Sequence, residues 1–191
     1  EVQRPLATVV IGGVISSTGV AGLTLGGGFG WLMPKHGMAL DHLQAVTIVL
    51  ADGRVVRASA AEHPDLFWAV RGGGGNFGIV STFEFRLNPV GPTVTGGLVA
   101  HPFPRAGEAL RFFRDMTSAG LPDEVMMIAA LAHAPDGSGT KIVGLGAVHC
   151  GTVEDGERWA APVKAFGPPV MDMMGPLPYT AANMMLDATF L

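Results

Sequence analysis

The sequence predicts an α+β protein whose two units follow each other along the chain. Short segments of alternating apolar and polar residues flank turn sequences, which is the pattern of antiparallel strands. Between them lie segments whose apolar residues recur at helical spacing. The segment LNPVGPTVTGG, residues 87–97, contains two prolines and three glycines. Because such segments interrupt regular structure, we place the boundary between the two units there.

The first unit is predicted to contain a β-hairpin, a short helix and a further strand. Residues QAVTIVLADGRVVRAS alternate on both sides of Asp52-Gly53, so strands are expected at about 44–51 and 54–58. In AAEHPDLFWAVRG, Pro64 suits the first turn of a helix and the glycines that follow end it. The segment GIVSTFEFRL, residues 78–87, has the period-two pattern of a strand.

The second unit is predicted to run strand, helix, hairpin, helix. A strand at about 94–101 leads into PRAGEALRFFRDMTSAG, whose apolar spacing fits an amphipathic helix. Two apolar strands, at about 125–133 and 140–149, flank the turn residues PDGSG. Thr152 is expected to cap a final helix that runs to about Phe166.

The composition has few charges for a globular protein of 191 residues. Charged residues make up 15% of the chain, against roughly 25% in a typical soluble domain. Hydrophobic residues reach 48%, and the chain contains 28 glycines and 14 prolines. Two explanations remain open: a glycine-lined cofactor site, which needs neither bulk nor charge, or faces that further polypeptide covers, as in an oligomer.

Several function classes are excluded by charge and motif. The net charge of −4 and the lack of Lys/Arg clusters with interleaved aromatics argue against nucleic acid. No apolar run approaches a membrane span, and the first residues lack the pattern of a signal peptide, so we expect a soluble, cytoplasmic protein without a membrane partner. Cys150 is the single cysteine and the histidines are scattered, so we expect no metal site.

Two glycine-rich stretches are the chemically informative part of the sequence. The first, STGVAGLTLGGGFGWL at residues 17–32, has six glycines and no charge. Glycine lets a backbone approach a ligand closely, and successive N–H groups can bind a phosphate without a cationic side chain.

The second stretch is RGGGGNFG, residues 71–78. Its Gly73-x-Gly75-x-x-Gly78 formally matches the dinucleotide fingerprint, but the predicted order of helix, glycines and strand is the reverse of a Rossmann unit. A nicotinamide-dependent dehydrogenase is therefore a weak alternative, and a P-loop is excluded because no Gly-Lys-Ser/Thr triplet occurs.

The runs GGVISSTGVAGLTLGGGFGWL and LDHLQAVTIVLADGRVVRASAAEHPDLFWAVRGGGGNFGIVSTFEFRL point to a family. Over residues 12–87 they resemble the second half of the flavin-binding domain of vanillyl-alcohol-oxidase-type (PCMH-type) FAD oxidoreductases, in the berberine-bridge-enzyme-like branch. Residues 93–187 more loosely resemble the start of that family's substrate domain. The resemblance implies a partial FAD-binding domain at 1–92 and a partial substrate-binding domain, with an antiparallel sheet, at 93–191.

The resemblance also implies FAD as cofactor and an oxidase reaction. A small organic substrate of alcohol, sugar or amine type would give a hydride to flavin N5, and O2 would accept the electrons. Carried over by position, the residues implied in cofactor binding are Ser17, Thr18, Gly19, Gly22, Leu23, Gly27 and Gly30 in the first stretch, and Gly75, Asn76, Gly78 and Val80 in or beside the second. Asn76 has an alternative role, that of fixing its own loop.

The chain departs from the family pattern in ways that bear on function. The loop whose histidine usually tethers the flavin would precede Glu1, and the catalytic base would follow Leu191, so we expect a partial chain and assign no catalytic residue. Ile15 stands where some members carry a cysteine that links the flavin, and His42 stands where many carry asparagine. Tyr179 either faces the flavin or is structural. The alternative function is a fragment without catalytic activity.

Overall fold

The computed structural model describes residues 6–10, of which it gives the backbone, and residues 22–134 and 136–185. The chain divides into two compact units, Glu1–Pro89 and Val90–Leu191. This division falls inside the segment 87–97, where proline and glycine interrupt regular structure. None of the helices in the described part of the chain is long and apolar enough to span a membrane.

The first unit contains a four-stranded antiparallel sheet with the strand order β1-β4-β2-β3. The predicted hairpin is present as β2 and β3, and Gly53 in its turn has a φ of 84°. That angle lies in the left-handed region, where glycine carries no steric penalty. The strands are β1 Leu6–Val10, β2 Leu43–Val49, β3 Val55–Ser59 and β4 Ile79–Arg86.

A helical turn at residues 22–25, three further α-helices and a 3-10 turn complete the described part of the first unit. The predicted helix is α3, which has Pro64 at its start and packs Phe67 and Val70 against the sheet residues Ile48 and Phe83. Burial of side chains of this size contributes about 1.5–3 kcal/mol each. The helices are α1 Met33–His36, α2 Ala39–His42 and α3 Pro64–Val70, and the 3-10 turn is Gly74–Phe77.

The second unit is built on an antiparallel sheet with the order β6-β7-β5-β8, and β9 also pairs with β5. The predicted strands are confirmed as β5, β6 and β7. The two short strands β8 and β9 come from the segment GPPVMDMMGPLP, residues 167–178, which is rich in proline and methionine and for which no strand was predicted. The strands are β5 Thr93–Pro102, β6 Val125–His133, β7 Lys141–His149, β8 Met171–Asp172 and β9 Gly175–Pro178.

Two long helices pack on one face of the second sheet. Val99 and Leu145 from the sheet form a core with Val163 of α5, and Phe112 of α4 packs against that core. The cap predicted at Thr152 is confirmed, since its hydroxyl accepts a hydrogen bond from the Asp155 N–H at 3.2 Å. The helices are α4 Ala106–Ser118, α5 Val153–Ala165 and α6 Tyr179–Met184, and a 3-10 turn covers Phe103–Arg105.

Candidate flavin site

The described part of the first glycine stretch is a helical turn at residues 22–25 followed by a glycine turn. Gly27 and Gly28 both have positive φ, 122° and 84°. Their carbonyl oxygens accept hydrogen bonds from α2, Gly27 from the Leu40 N–H at 3.1 Å and Gly28 from the Ala39 N–H at 3.0 Å. The glycine turn is therefore fixed to α2 through main-chain hydrogen bonds.

The second glycine stretch is fixed to the same helix. Arg71 donates a hydrogen bond from Nε to the Leu40 carbonyl at 3.1 Å. The Leu40 side chain lies beside both stretches, because a Cβ added to Gly27 or to Gly72 would contact its Cδ2 at 3.9 Å or 3.8 Å. The fold thus brings together at α2 two stretches that are separated in sequence by the whole β2–β3 hairpin.

Some of these glycines are required by the fold itself. At Gly28 a Cβ would overlap the Cβ of Ala39, and at Gly78 it would overlap the carbonyl oxygen of Val49. Both residues also have positive φ. A side chain at either position would therefore strain the backbone and displace a neighbour.

Three of the predicted site glycines have no such reason to be glycine. Gly22, Gly30 and Gly75 do not have positive φ, and no described atom lies within 4 Å of a Cβ built on any of them. Nothing in the described fold therefore prevents a side chain at these positions. What the missing side chains leave is bare main chain, which a ligand can approach closely.

Comparison with known proteins identifies the kind of ligand. Residues 3–59 match a family model described as an FAD binding domain. An FAD-linked oxidoreductase of Aspergillus terreus is 40% identical over 167 residues, which are 85% of this chain and 33% of that protein. A second FAD-linked oxidoreductase, from Dictyostelium discoideum, is 32% identical over 176 residues, or 92% of this chain and 37% of that protein.

Solved structures agree with the sequence matches. The glucooligosaccharide oxidase of Acremonium strictum aligns with a TM-score of 0.73 at 26% identity, covering 97% of this chain and 42% of that one. The 6-hydroxy-D-nicotine oxidase of Arthrobacter nicotinovorans also gives 0.73, at 30% identity over 85% of this chain and 36% of that one.

Over most of its length the chain is therefore similar to FAD-linked oxidoreductases. The predictions of an α+β fold of this kind, of an oxidoreductase by family resemblance and of FAD as the cofactor of the relatives are confirmed. The chain spans about a third of the length of the two FAD-linked oxidoreductases, 33% and 37%.

The structure places the remaining predicted FAD contacts in different surroundings. Leu23 is 54% exposed, whereas the side chain of Val80 belongs to the core of the first unit, so only its main chain is available to a cofactor. Asn76 donates from Nδ2 to the Gly73 carbonyl at 2.9 Å, which is the loop-fixing role that was its alternative. Ser17, Thr18, Gly19 and the family cysteine position Ile15 lie outside the described residues.

His42, the residue that departs from the family pattern, is the last residue of α2, and its side chain is held by two hydrogen bonds. Its Nε2 lies 2.6 Å from the His36 carbonyl. Since a carbonyl only accepts, Nε2 carries the proton and Nδ1 is left to accept from Asn88 Nδ2, at 3.1 Å. The side chain therefore ties α1 to the segment after β4. This role has no local signal in the sequence, because Asn88 lies 46 residues away.

Charged groups near the glycine stretches are few. Asp41 accepts the Met38 N–H at 2.9 Å and lies 3.8 Å from the Arg71 guanidinium. Partial burial, with smaller contributions from Lys35 and His42, lowers the pKa of His36, which favours the neutral ring. The site therefore offers main-chain dipoles rather than a cluster of charged side chains.

Proposed function

We propose that this chain forms the second half of an FAD-binding domain, residues 1–92, and the start of a substrate-binding domain, residues 93–191, of a carbohydrate oxidase. The observation that carries the proposal is the set of three glycines, Gly22, Gly30 and Gly75, whose missing side chains the described fold does not require. In an FAD-linked oxidoreductase, clearance for the diphosphate and the flavin edge is a reason for such positions to stay bare.

The choice of a sugar among the possible substrates rests on the relatives. They include a xylooligosaccharide oxidase of Thermothelomyces thermophilus, 38% identical over 60% of this chain, and a carbohydrate oxidase of Microdochium nivale, 45% identical over 44% of it. A sugar hydroxyl is the group to be oxidised under this proposal, and O2 is the proposed electron acceptor.

The role of the chain's own residues is binding and positioning. FAD, when bound, supplies the hydride acceptor for the substrate C–H bond. Gly22, Gly30 and Gly75 would approach it with main-chain groups, together with Ser17, Thr18, Gly19, Leu23, Gly27, Asn76, Gly78 and Val80 as further proposed contacts. Arg71 and His42 hold the loops behind these glycines and are proposed as positioning residues.

FAD titration of the purified 191-residue protein tests the cofactor site. We expect quenching of flavin fluorescence and a yellow protein that keeps its colour on gel filtration. Gly30→Val and Gly75→Val should abolish binding, because a branched side chain would fill the space the cofactor needs. Gly175→Val is the matched control, since Gly175 also has open space around it and no positive φ but lies in the second unit.

Two outcomes would overturn the proposed site. One is a folded, colourless wild-type protein that does not respond to added FAD. The other is equal FAD binding by wild type, Gly30→Val and Gly75→Val. Oxygen consumption with gluco- and xylooligosaccharides, compared with simple alcohols and amines, then tests the substrate class.

The second candidate is a chain that binds flavin or folds without turnover. It is favoured by apolar side chains that the first unit leaves exposed, among them Trp68 at 78% and Ile79 at 76%. Covering them with another surface would remove apolar area from water, and an oligomer that does so is part of this candidate. Flavin binding without oxygen consumption on any substrate would support it over the oxidase.

A further inference from the structure

A cavity of about 400 Å³ lies wholly within the second unit. This volume lies within the range typical of small-molecule sites, about 300–1,000 Å³. Its walls come from the end of β5 and the turn after it, the start of β7 and the approach to β8, with Pro102, Phe103, Lys141, Ile142, Val170 and Met171 among the lining residues.

The cavity opens on the sheet face that α4 and α5 do not cover. Val99 and Leu145 point into the helix-packed core. Alternation along the strands puts Ala100 and Ile142, which line the cavity, on the opposite face. The floor is therefore sheet, and it is apolar.

One positively charged side chain, Lys141, lines this apolar cavity. The Lys141 ammonium lies 5.9 Å from the centroid of the Phe103 ring, and Phe103 is 40% exposed. Among the residues that the structure describes, no carboxylate forms an ion pair with Lys141. An anion that reaches the ammonium would place any attached apolar group against the Phe103 ring and the neighbouring Pro102.

A carboxylate in the lining limits the charge of the ligand. Asp136 accepts the Ser138 N–H at 2.9 Å, and hydrogen bonds from Ser138 lower the pKa of this carboxyl. The group is therefore ionised at neutral pH and disfavours a second negative charge in the cavity. A single anionic group beside an apolar body is the chemistry that remains.

We propose that this cavity binds a small aromatic monocarboxylate. Its carboxylate accepts a hydrogen bond from the Lys141 ammonium, and its ring packs between Phe103, Pro102 and Ile142. The site needs no flavin, so it can be tested independently of the proposed oxidase activity.

Calorimetric titration of the flavin-free 191-residue protein with sodium benzoate tests the proposal, with benzyl alcohol as the neutral analogue. Benzoate should bind saturably, in the millimolar range or tighter, and Lys141→Met should weaken it about tenfold, the effect of one hydrogen bond to a charged group. The affinity for benzyl alcohol should be the same for Lys141→Met and wild type. Lys141→Arg should retain benzoate, and Lys35→Met in the first unit is the matched control.

A second variant tests the cavity rather than the charge. Val170 lines the cavity yet is 60% exposed, so Val170→Phe fills space without entering the core. It should abolish binding of benzoate and of benzyl alcohol alike, with unchanged circular dichroism. Benzoate affinity that either Lys141→Met or Val170→Phe leaves unchanged, or a folded wild type that shows no saturable binding, overturns the proposal.

Discussion

Arg71 donates a hydrogen bond from Nε to the carbonyl oxygen of Leu40 at 3.1 Å. This bond joins the end of α3, where the second glycine stretch begins, to the helix on which the first glycine turn is fixed. The guanidinium also lies 3.8 Å from Asp41 and 5.3 Å from the centroid of Phe67. One side chain therefore sets the spacing between the two stretches proposed to bind FAD.

The first prediction concerns this spacing. Arg71→Met should raise the Kd for FAD about tenfold, because a hydrogen bond from a charged donor is lost and the two stretches are no longer held together. Arg71→Lys keeps the charge beside Asp41 but loses the Nε donor, so its Kd for FAD should lie between those of wild type and Arg71→Met. Titration of flavin fluorescence measures the effect.

Arg54→Met is the control for removing an arginine from the same unit. Arg54 pairs with Asp52 in the hairpin turn, where both side chains are more than half exposed. Its loss should leave FAD binding unchanged. Equal FAD affinity for Arg71→Met and wild type would contradict the positioning role.

The second prediction concerns His42. Replacement by alanine removes the ring nitrogens that serve the His36 carbonyl and the Asn88 amide. Leaving such part-buried groups without partners costs about 1–3 kcal/mol, so His42→Ala should lower the free energy of unfolding by that amount in urea titrations. His133→Ala, at an exposed position on β6, is the control and should change little. A stability equal to wild type would show that water replaces these hydrogen bonds.

Much of the fold could be predicted because its signals are local. The Asp52-Gly53 turn predicts the β2–β3 hairpin, and Thr152 followed by acidic residues predicts the start of α5. Both elements form where the sequence places them. The helix–glycine–strand order around Gly73–Gly78 is likewise local, and the structure keeps it.

The features that the sequence did not predict are either too short to show a periodic pattern or depend on contacts between residues far apart in the chain. The helices α1 and α2 contain four residues each, too few to show a helical period. The strand β9 forms because it pairs with β5, about eighty residues earlier in the chain. No local sequence pattern predicts such a pairing. For the same reason the glycine motif predicted a site but not which glycines the fold requires, since that depends on Ala39, Val49 and Leu40 coming close in space.

The third prediction separates structural from ligand-facing glycines in flavin-free protein. Gly28→Ala should destabilise the protein by about 2 kcal/mol or more, because the new Cβ overlaps Ala39 and the φ of 84° is unfavourable for alanine. Gly30→Ala meets no described atom, so its stability should equal wild type or rise by about 1 kcal/mol at most, through the unfolded chain. Thermal or chemical unfolding of both variants gives the comparison. Similar losses for the two would mean that Gly30 is required by the fold.

The fourth prediction concerns pH and His101, whose side chain is fully buried on β5. Its ring packs edge-on against Phe166 with 5.0 Å between the ring centroids, and among the described residues neither ring nitrogen has a hydrogen-bond partner of standard geometry. Burial and the nearby Arg105 charge lower the pKa of His101, and the Pro168 carbonyl opposes them only in part. The folded state therefore favours the neutral ring.

The sign of the pH effect follows from this preference. Between the lowered pKa in the folded state and about 6.5 in the unfolded chain, the unfolded state binds more protons, so stability falls as the pH drops. His101 should contribute a slope of at most about 1.4 kcal/mol per pH unit in that window. His101→Phe keeps an aromatic ring against Phe166 and should remove this contribution, whereas His133→Gln should not. Urea unfolding at several pH values measures the slope, and identical slopes for wild type and His101→Phe would mean that the buried ring does not resist protonation.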